Sequence, residues 1–316
     1  MSSTDSPSER EQPEAIKAIP VRHPGRWVAI GVIAILAAMF VHMVATNPAF
    51  GWRFMAHNAF RRPVLEGVRT TVLMTISAMV LGVALGVVLA VMRLSDNPIL
   101  RSAAWLFVWF FRAVPRIVLL TLCGNLGILF AEYSIGVPFG RQVASLFGLH
   151  ADLTLFGVDA NSIASGFTAG LIGLALSEAA YMAEIVRAGI SSIDPGQTEA
   201  AQALGMSRTL TMRRVVLPQA MRVIVPPTGN ETIAMLKDTS LLIAVPVSIE
   251  LFFQLEAIGA RTFRIFPMLV AACLWYLALT SVLMVGQYFL EKRFSRGVIG
   301  STRREQVPVG GAGGAR

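Results

Sequence analysis

The sequence predicts an all-α integral membrane protein with about six transmembrane helices. Three observations carry that prediction. Of its 316 residues 54% are hydrophobic and only 15% charged, and the mean hydropathy is +0.63, outside the range of soluble domains. Apolar runs of about 20 residues, the length a helix needs to cross a bilayer core, recur along the chain. Basic residues are segregated among the segments that join these runs.

The runs follow in order. Residues 27–46 form the first, with His42 as its one ionisable group. Residues 72–92 are uncharged and carry Gly82-x-x-x-Gly86, a spacing that lets a second helix approach closely. Residues 102–130 are apolar but hold Arg112, Pro115 and Arg116, and residues 163–186 hold Glu178 and Glu184. The fifth run reads as 232–249, after a break at Pro226-Pro227, with Lys237 and Asp238 inside it. The sixth, 265–290, has no charge.

Net charge is +8, and only three of the 27 basic residues are lysine. In a soluble chain this would suggest nucleic acid; here it sets orientation. With the N-terminus inside, segments 1–26, 93–101, 187–222 and 291–316 hold 17 Lys and Arg, against 7 in 47–71, 131–162 and 250–264. Both termini are therefore expected in the cytoplasm. Arg53, Arg61, Arg62 and Arg69 fall outside, where an interfacial amphipathic helix would hold them against lipid. The ends, 1–26 and 291–316, read as disordered tails, rich in Ser, Pro and Glu at one end and Gly at the other. A cleaved signal peptide fits poorly, because the region before the first apolar run is long and contains acidic groups. Segment 131–162 reads as an outside loop with a short interfacial or re-entrant piece. Cys123 and Cys273 lie in apolar runs and read as buried thiols. His23, His42, His57 and His150 form no metal or catalytic spacing, which leaves an enzyme reading without support.

One stretch is unlike its surroundings. Residues 199–220, "EAAQALGMSRTLTMRRVVLPQA", are polar and helix-forming. Asp194 is a helix cap, Pro195 suits the first helical position, and Gln197 completes a capping pattern. Gly205 ends that helix, Ser207 caps a second, and Leu217-Pro218 is expected to break it. The product is a helix–glycine–helix hairpin at 194–218, placed in the cytoplasm by the charge asymmetry. Its alanines permit close approach by another surface, flanked by Glu199, Arg208, Arg213 and Arg214.

The pattern Glu199-Ala200-Ala201, three residues, Gly205, nine residues, Val215, one residue, Leu217-Pro218 resembles the cytoplasmic loop of bacterial ABC importer permeases. The runs "YMAEIVRAGISSIDPGQTEAAQALGMS", "LKDTSLL", "GVRTTVLMTISAMVLGVALGVVLAVMRLS" and "WFFRAVPRIVLL" resemble the polar amino-acid branch, whose members carry histidine, glutamine, glutamate, arginine and related compounds. The resemblance covers about 67–290, leaving 27–66 as an extra first span and connector. Val215 stands where isoleucine is commoner, and Arg116 where an uncharged residue is usual. The resemblance implies a type I importer permease architecture. It implies that the hairpin fits a separate ATP-binding cassette ATPase through Glu199, Ala200, Ala201, Gly205, Arg208, Leu217 and Pro218. It further implies a second permease subunit, identical or similar, and an extracytoplasmic amino-acid-binding protein, in the bacterial cytoplasmic membrane with lipid around it and no nucleic acid. ATP and magnesium would sit on the ATPase. This chain has no phosphate loop of its own, since Lys17, Lys237 and Lys292 follow Ile16, Leu236 and Glu291 and no Gly-Lys pair exists.

Ionisable groups at membrane depth are costly and face protein or water. Glu231 and Asp238 are two helical turns apart and share a face, followed by Thr239 and Ser240. That face either lines a path for an amino-acid ammonium or anchors the Pro226-Pro227 break by pairing with Lys237 or Arg112. Glu178 with Tyr181 is a second wall. Arg112 either meets a substrate carboxylate or snorkels. Glu184 and Arg187, three apart, read as a local ion pair. The competing function class is an ion- or proton-coupled secondary amino-acid transporter with Glu178, Glu231 or Asp238 as carrier.

Overall fold

Backbone inside a hydrocarbon core must satisfy its own N–H and C=O groups, and these apolar runs do so as helices. The computed structural model describes residues 24–126, 132–136, 154–159, 166–245 and 247–294. Its elements are α1 (Pro24–Thr46), α2 (Trp52–Ala59), α3 (Arg62–Arg93), α4 (Pro98–Ala113), α5 (Arg116–Gly124), β1 (Glu132–Gly136), β2 (Thr154–Asp159), α6 (Gly166–Ser191), α7 (Pro195–Ala203), α8 (Arg208–Thr211), α9 (Leu217–Asp238), α10 (Leu251–Thr262) and α11 (Ile265–Phe294). A π-helical turn, Met212–Val216, joins α8 to α9, and a 3₁₀ turn, Thr239–Ala244, extends α9. By length and composition α1, α3, α6 and α11 are long and apolar enough to cross a membrane, and α4 with α5 reach that length only as a bent pair. Residues 24–26 and 291–294, expected in disordered tails, are helical, as parts of α1 and α11; the rest of both tails, and the joins of the third and fourth runs to segment 131–162, lie outside the described residues.

Residues 1–50 and 51–316 form two separate units. In the first, α1 is apolar around its whole circumference, as a lipid-embedded helix is. In the second, α3 and α6 pair at the centre. Much of the buried stripe of α3 is small or weakly polar, with Thr71, Thr75, Ala78, Gly82 and Gly86 beside Met74, Met79 and Leu89, while Leu73, Ile76, Val80 and Val91 point outward. This inside-out pattern is that of helices which associate through close backbone packing in lipid. A Cβ at Gly82 would stand 2.7 Å from the Cβ and Cγ of Glu178, and one at Gly86 2.6 Å from the Cβ of Met182, so the Gly-x-x-x-Gly spacing does admit α6. Met74, Met79, Leu120, Leu174, Met235 and Leu242 pack together and tie α5, α9 and the 3₁₀ turn to that pair.

A buried carboxylate fastens the opposite flank. Glu250 caps α10, its Oε2 accepting from the N–H groups of Phe252 at 2.7 Å and Phe253 at 3.2 Å. Its Oε1 accepts from the hydroxyls of Thr71 at 2.9 Å and Tyr276 at 2.6 Å. One side chain thereby joins α3, α10 and α11.

Several expectations are corrected. The third run is not one helix. Val114 precedes proline and is driven to extended geometry, so α4 ends and α5 starts at 100° to it. The fifth run does not begin after Pro226-Pro227: both prolines lie inside α9. Thr228 and Thr232 donate back to the Ile224 and Thr228 carbonyls, and the Gln287 amide donates to the Pro226 carbonyl at 2.9 Å. Pro226 and Pro227 withhold the donors that would face the Arg222 and Val223 carbonyls; the bonds from Thr228, Thr232 and Gln287 reinforce other carbonyls of the same stretch. Leu217-Pro218 does not break the helix either. The preceding π turn, closed by the Leu217 N–H on Met212, widens the spiral and carries it past the proline. Segment 131–162 contains an antiparallel ribbon, with Glu132 opposite Asp159 and Ile135 opposite Phe156. Cys123 and Cys273 are both free thiols, but Cys273 is exposed, not buried.

Candidate functional site

The Pro115 bend decides where the site forms. It makes Arg116 the first residue of α5 and aims its guanidinium across the bundle at α6 and α9. Arg116 Nε donates to Ser177 Oγ at 3.1 Å and its NH2 group reaches Glu178 Oε2 at 3.3 Å. Its other amino group pairs with Asp238. The guanidinium carbon lies 5.0 Å from the Tyr181 ring centroid, and that of Arg112 lies 5.5 Å from the same ring. Glu178 is fully buried, Arg116 is 12% exposed and Asp238 32%. Three helices thus meet in one charged cluster in which two carboxylates face a single paired guanidinium. Charge-assisted bonds of this kind are strong where water is scarce. The Oε1 oxygen of Glu178 is buried and has no hydrogen-bond partner.

The cluster brings together four of the residues singled out from sequence, namely Glu178, Tyr181, Asp238 and Arg112. Asp238 pairs with neither Lys237 nor Arg112 but with Arg116. Glu231 lies two turns before Asp238 on α9, half-buried. Thr239 and Ser240 turn away from this role: their hydroxyls donate to the Leu236 and Lys237 carbonyls at 2.8 and 2.7 Å and close the end of their own helix. Arg116 and Ser177 are the members of the cluster that sequence reasoning did not place in a site. The signal for Arg116 was a charge inside an apolar run beside a proline; for Ser177 there was none.

Tyr181 also belongs to a cavity of about 450 Å³ lined by Arg93, Trp105, Trp109, Arg112 and Glu184. Glu184 pairs with Arg187, whose Nε donates to it at 3.1 Å, and approaches Arg93 at 3.9 Å. The expected local ion pair is therefore present, with a second arginine beside it. Ser177, Glu178, Tyr181, Glu184 and Arg187 recur every one to three residues and form a polar stripe on α6. A larger cavity of about 770 Å³ between α3, α6 and α9 is lined mainly by aliphatic side chains such as Val83, Val87 and Ile224; it offers a polar amino acid little to bind.

The hairpin is a second site. Asp194 caps α7 by accepting from the Gly196 N–H at 2.8 Å. Gly205 sits at φ +80°, and the Met206 and Gly205 N–H groups return to the Ala201 and Gln202 carbonyls at 3.1 and 2.9 Å. That paired closure needs a left-handed residue, which glycine adopts without strain. Ser207 Oγ accepts from the Leu210 N–H. Glu199, Ala200, Gly205, Arg208, Leu217 and Pro218 are exposed. Ala201 is 5% exposed and packs inside the hairpin. Leu204, at the tip, is 84% exposed, an apolar knob that the spacing pattern did not flag.

Comparison with known proteins identifies the family. Residues 82–296 match the family described as binding-protein-dependent transport system inner membrane component. The arginine transport system permease protein ArgU of Corynebacterium glutamicum is 45% identical over 306 residues, covering 96% of this chain and 91% of that one. The probable amino-acid ABC transporter permease protein YckA of Bacillus subtilis is 34% identical, covering 73% and 89%. A crystal structure of an amino acid ABC transporter with histidines superimposes with a TM-score of 0.57 at 29% identity, over 80% of this chain and 98% of that one. The chain therefore belongs to the binding-protein-dependent transport system inner membrane components, as a multi-pass permease of the amino-acid ABC importers.

Proposed function

We propose that this chain forms the gated pathway of an ATP-driven importer for a cationic amino acid. The observation that carries the proposal is the convergence of buried Glu178 and partly exposed Asp238, from two helices, beside Tyr181. Carboxylates and an aromatic face are the partners a desolvated ammonium or guanidinium requires. The 45% identity to a relative named for arginine transport supports the same substrate class. The exposed hairpin is the seat of an ATPase subunit, which holds ATP and magnesium and lies in the cytoplasm with both termini of this chain. An extracytoplasmic binding protein delivers the substrate, and a second permease subunit, identical or similar, completes the pathway. ATP binding closes the ATPase pair, moves the hairpins and turns the pathway outward; hydrolysis resets it.

The test is reconstitution of the chain with its ATPase and binding protein in vesicles. Arginine uptake should require ATP. Glu178→Gln and Asp238→Asn should each lower it by about ten-fold or more, the size expected when one member of a close charge pair is lost. Uptake that persists without ATP and without the ATPase would replace this reading with an ion-coupled carrier.

A further inference from the structure

The polar cluster already contains a guanidinium, and it is the chain's own. Arg116 takes a hydroxyl, two carboxylates and an aromatic face, the set that an arginine side chain of a ligand would take. The cluster also has more acceptor capacity than Arg116 uses: Glu178 Oε1 is buried without a donor, and one cation faces two carboxylates. Arg116 stands on α5 while its carboxylates stand on α6 and α9, so relative movement of these helices is able to part them.

We propose that Arg116 is a tethered competitor that determines specificity. The cationic side chain of the substrate takes Glu178 and Asp238 from it, and the released guanidinium receives the substrate carboxylate. This rests on the cationic-substrate reading above. The exchange leaves neither guanidinium without an anionic partner at its beginning or end, which matters where an unpaired charge inside a membrane protein is costly. A cation without a carboxylate leaves Arg116 with no partner, and an amino acid without a side-chain cation does not release it. The site therefore reads both ends of its ligand.

The experiment is equilibrium binding to the full-length chain in lipid nanodiscs, with radiolabelled arginine and with agmatine, which is arginine lacking its carboxylate. The wild-type chain should prefer arginine. Arg116→Met removes both the competitor and the carboxylate partner, so agmatine should bind about ten-fold more tightly than to wild type and the preference for arginine should vanish. Arg116→Gln, which keeps a hydrogen bond for the carboxylates, should shift agmatine in the same direction and serves if the methionine variant does not fold. Arg116→Lys, which keeps the charge, should retain the preference for arginine. Equal agmatine binding to wild type and to both neutral variants, with arginine still bound by wild type, would overturn the exchange and leave the cationic-substrate reading standing. Absence of any cation binding in all forms, while the whole importer takes up an uncharged amino acid, would overturn both.

Discussion

Gly82 and Glu178 share one of the two closest approaches between α3 and α6. Any side chain on Gly82 must push the carbon stem of Glu178, which is itself held by Arg116. Gly82→Ala should therefore lower stability by about 1–3 kcal/mol, as overpacking does, and should also disturb substrate binding, because the displaced atoms carry the carboxylate. Gly286 on α11 has open space around a hypothetical Cβ, and Gly286→Ala should be neutral or stabilise by up to about 1 kcal/mol. Thermal unfolding of the two variants in matched detergent tests the contrast. Equal melting temperatures would mean that the close approach is unimportant.

The hairpin makes a prediction about an element. Leu204 and Gly205 are at the tip and touch nothing that holds the transmembrane helices together. Leu204→Asp and Gly205→Asp should leave membrane insertion unchanged and abolish co-purification of the ATPase; if the ATPase still follows the chain through purification, this hairpin is not its seat. Gly205→Asn separates backbone from surface, since asparagine tolerates a left-handed conformation, and should keep the fold of the tip while crowding the docking face. The hairpin was the most legible element in the sequence because its caps, glycine and small residues act over short separations. The bend at Pro115 was half legible: proline was noticed, but not that it would end one helix and aim another. The two proline sites that were read as breaks are helical: a π turn precedes Pro218, and side chains of the same and a neighbouring helix bond carbonyls around Pro226-Pro227. None of that is visible in a window of sequence. The Arg116 cluster was opaque for a related reason. Its ion pairs join residues 62 and 122 positions apart, and only the packing of three helices chooses them.

For the whole molecule, orientation is the property most open to test. The basic residues assign the hairpin to the cytoplasm and Arg264 to the far side. In a background with Cys123 and Cys273 replaced by alanine, Arg208→Cys should react with a membrane-impermeant maleimide only when the cytoplasmic face is open to it, and Arg264→Cys only from the outside. The reverse labelling would invert the topology and detach the hairpin from any cytoplasmic ATPase. Glu250 adds a second property at this scale. By joining α3, α10 and α11 through one buried carboxylate, it leaves the flank away from the charged cluster fastened while α5, α6 and α9 meet through ion pairs between separate elements.

The π turn at Met212–Val216 has a mechanical consequence. Because it carries the spiral past Pro218, the second arm of the hairpin and the carboxylate of Asp238 belong to one helical beam, with Ile224 seated against Gly189 of α6 part-way along. From that seat to Asp238 is 14 residues, about 21 Å of helix. A tilt of about 5° at the hairpin end, taken about this fulcrum, displaces the far end by roughly 2 Å, about the difference between a bonded and a broken ion pair. Under the proposed function, a modest torque at the hairpin would be geared directly to the grip on the cation.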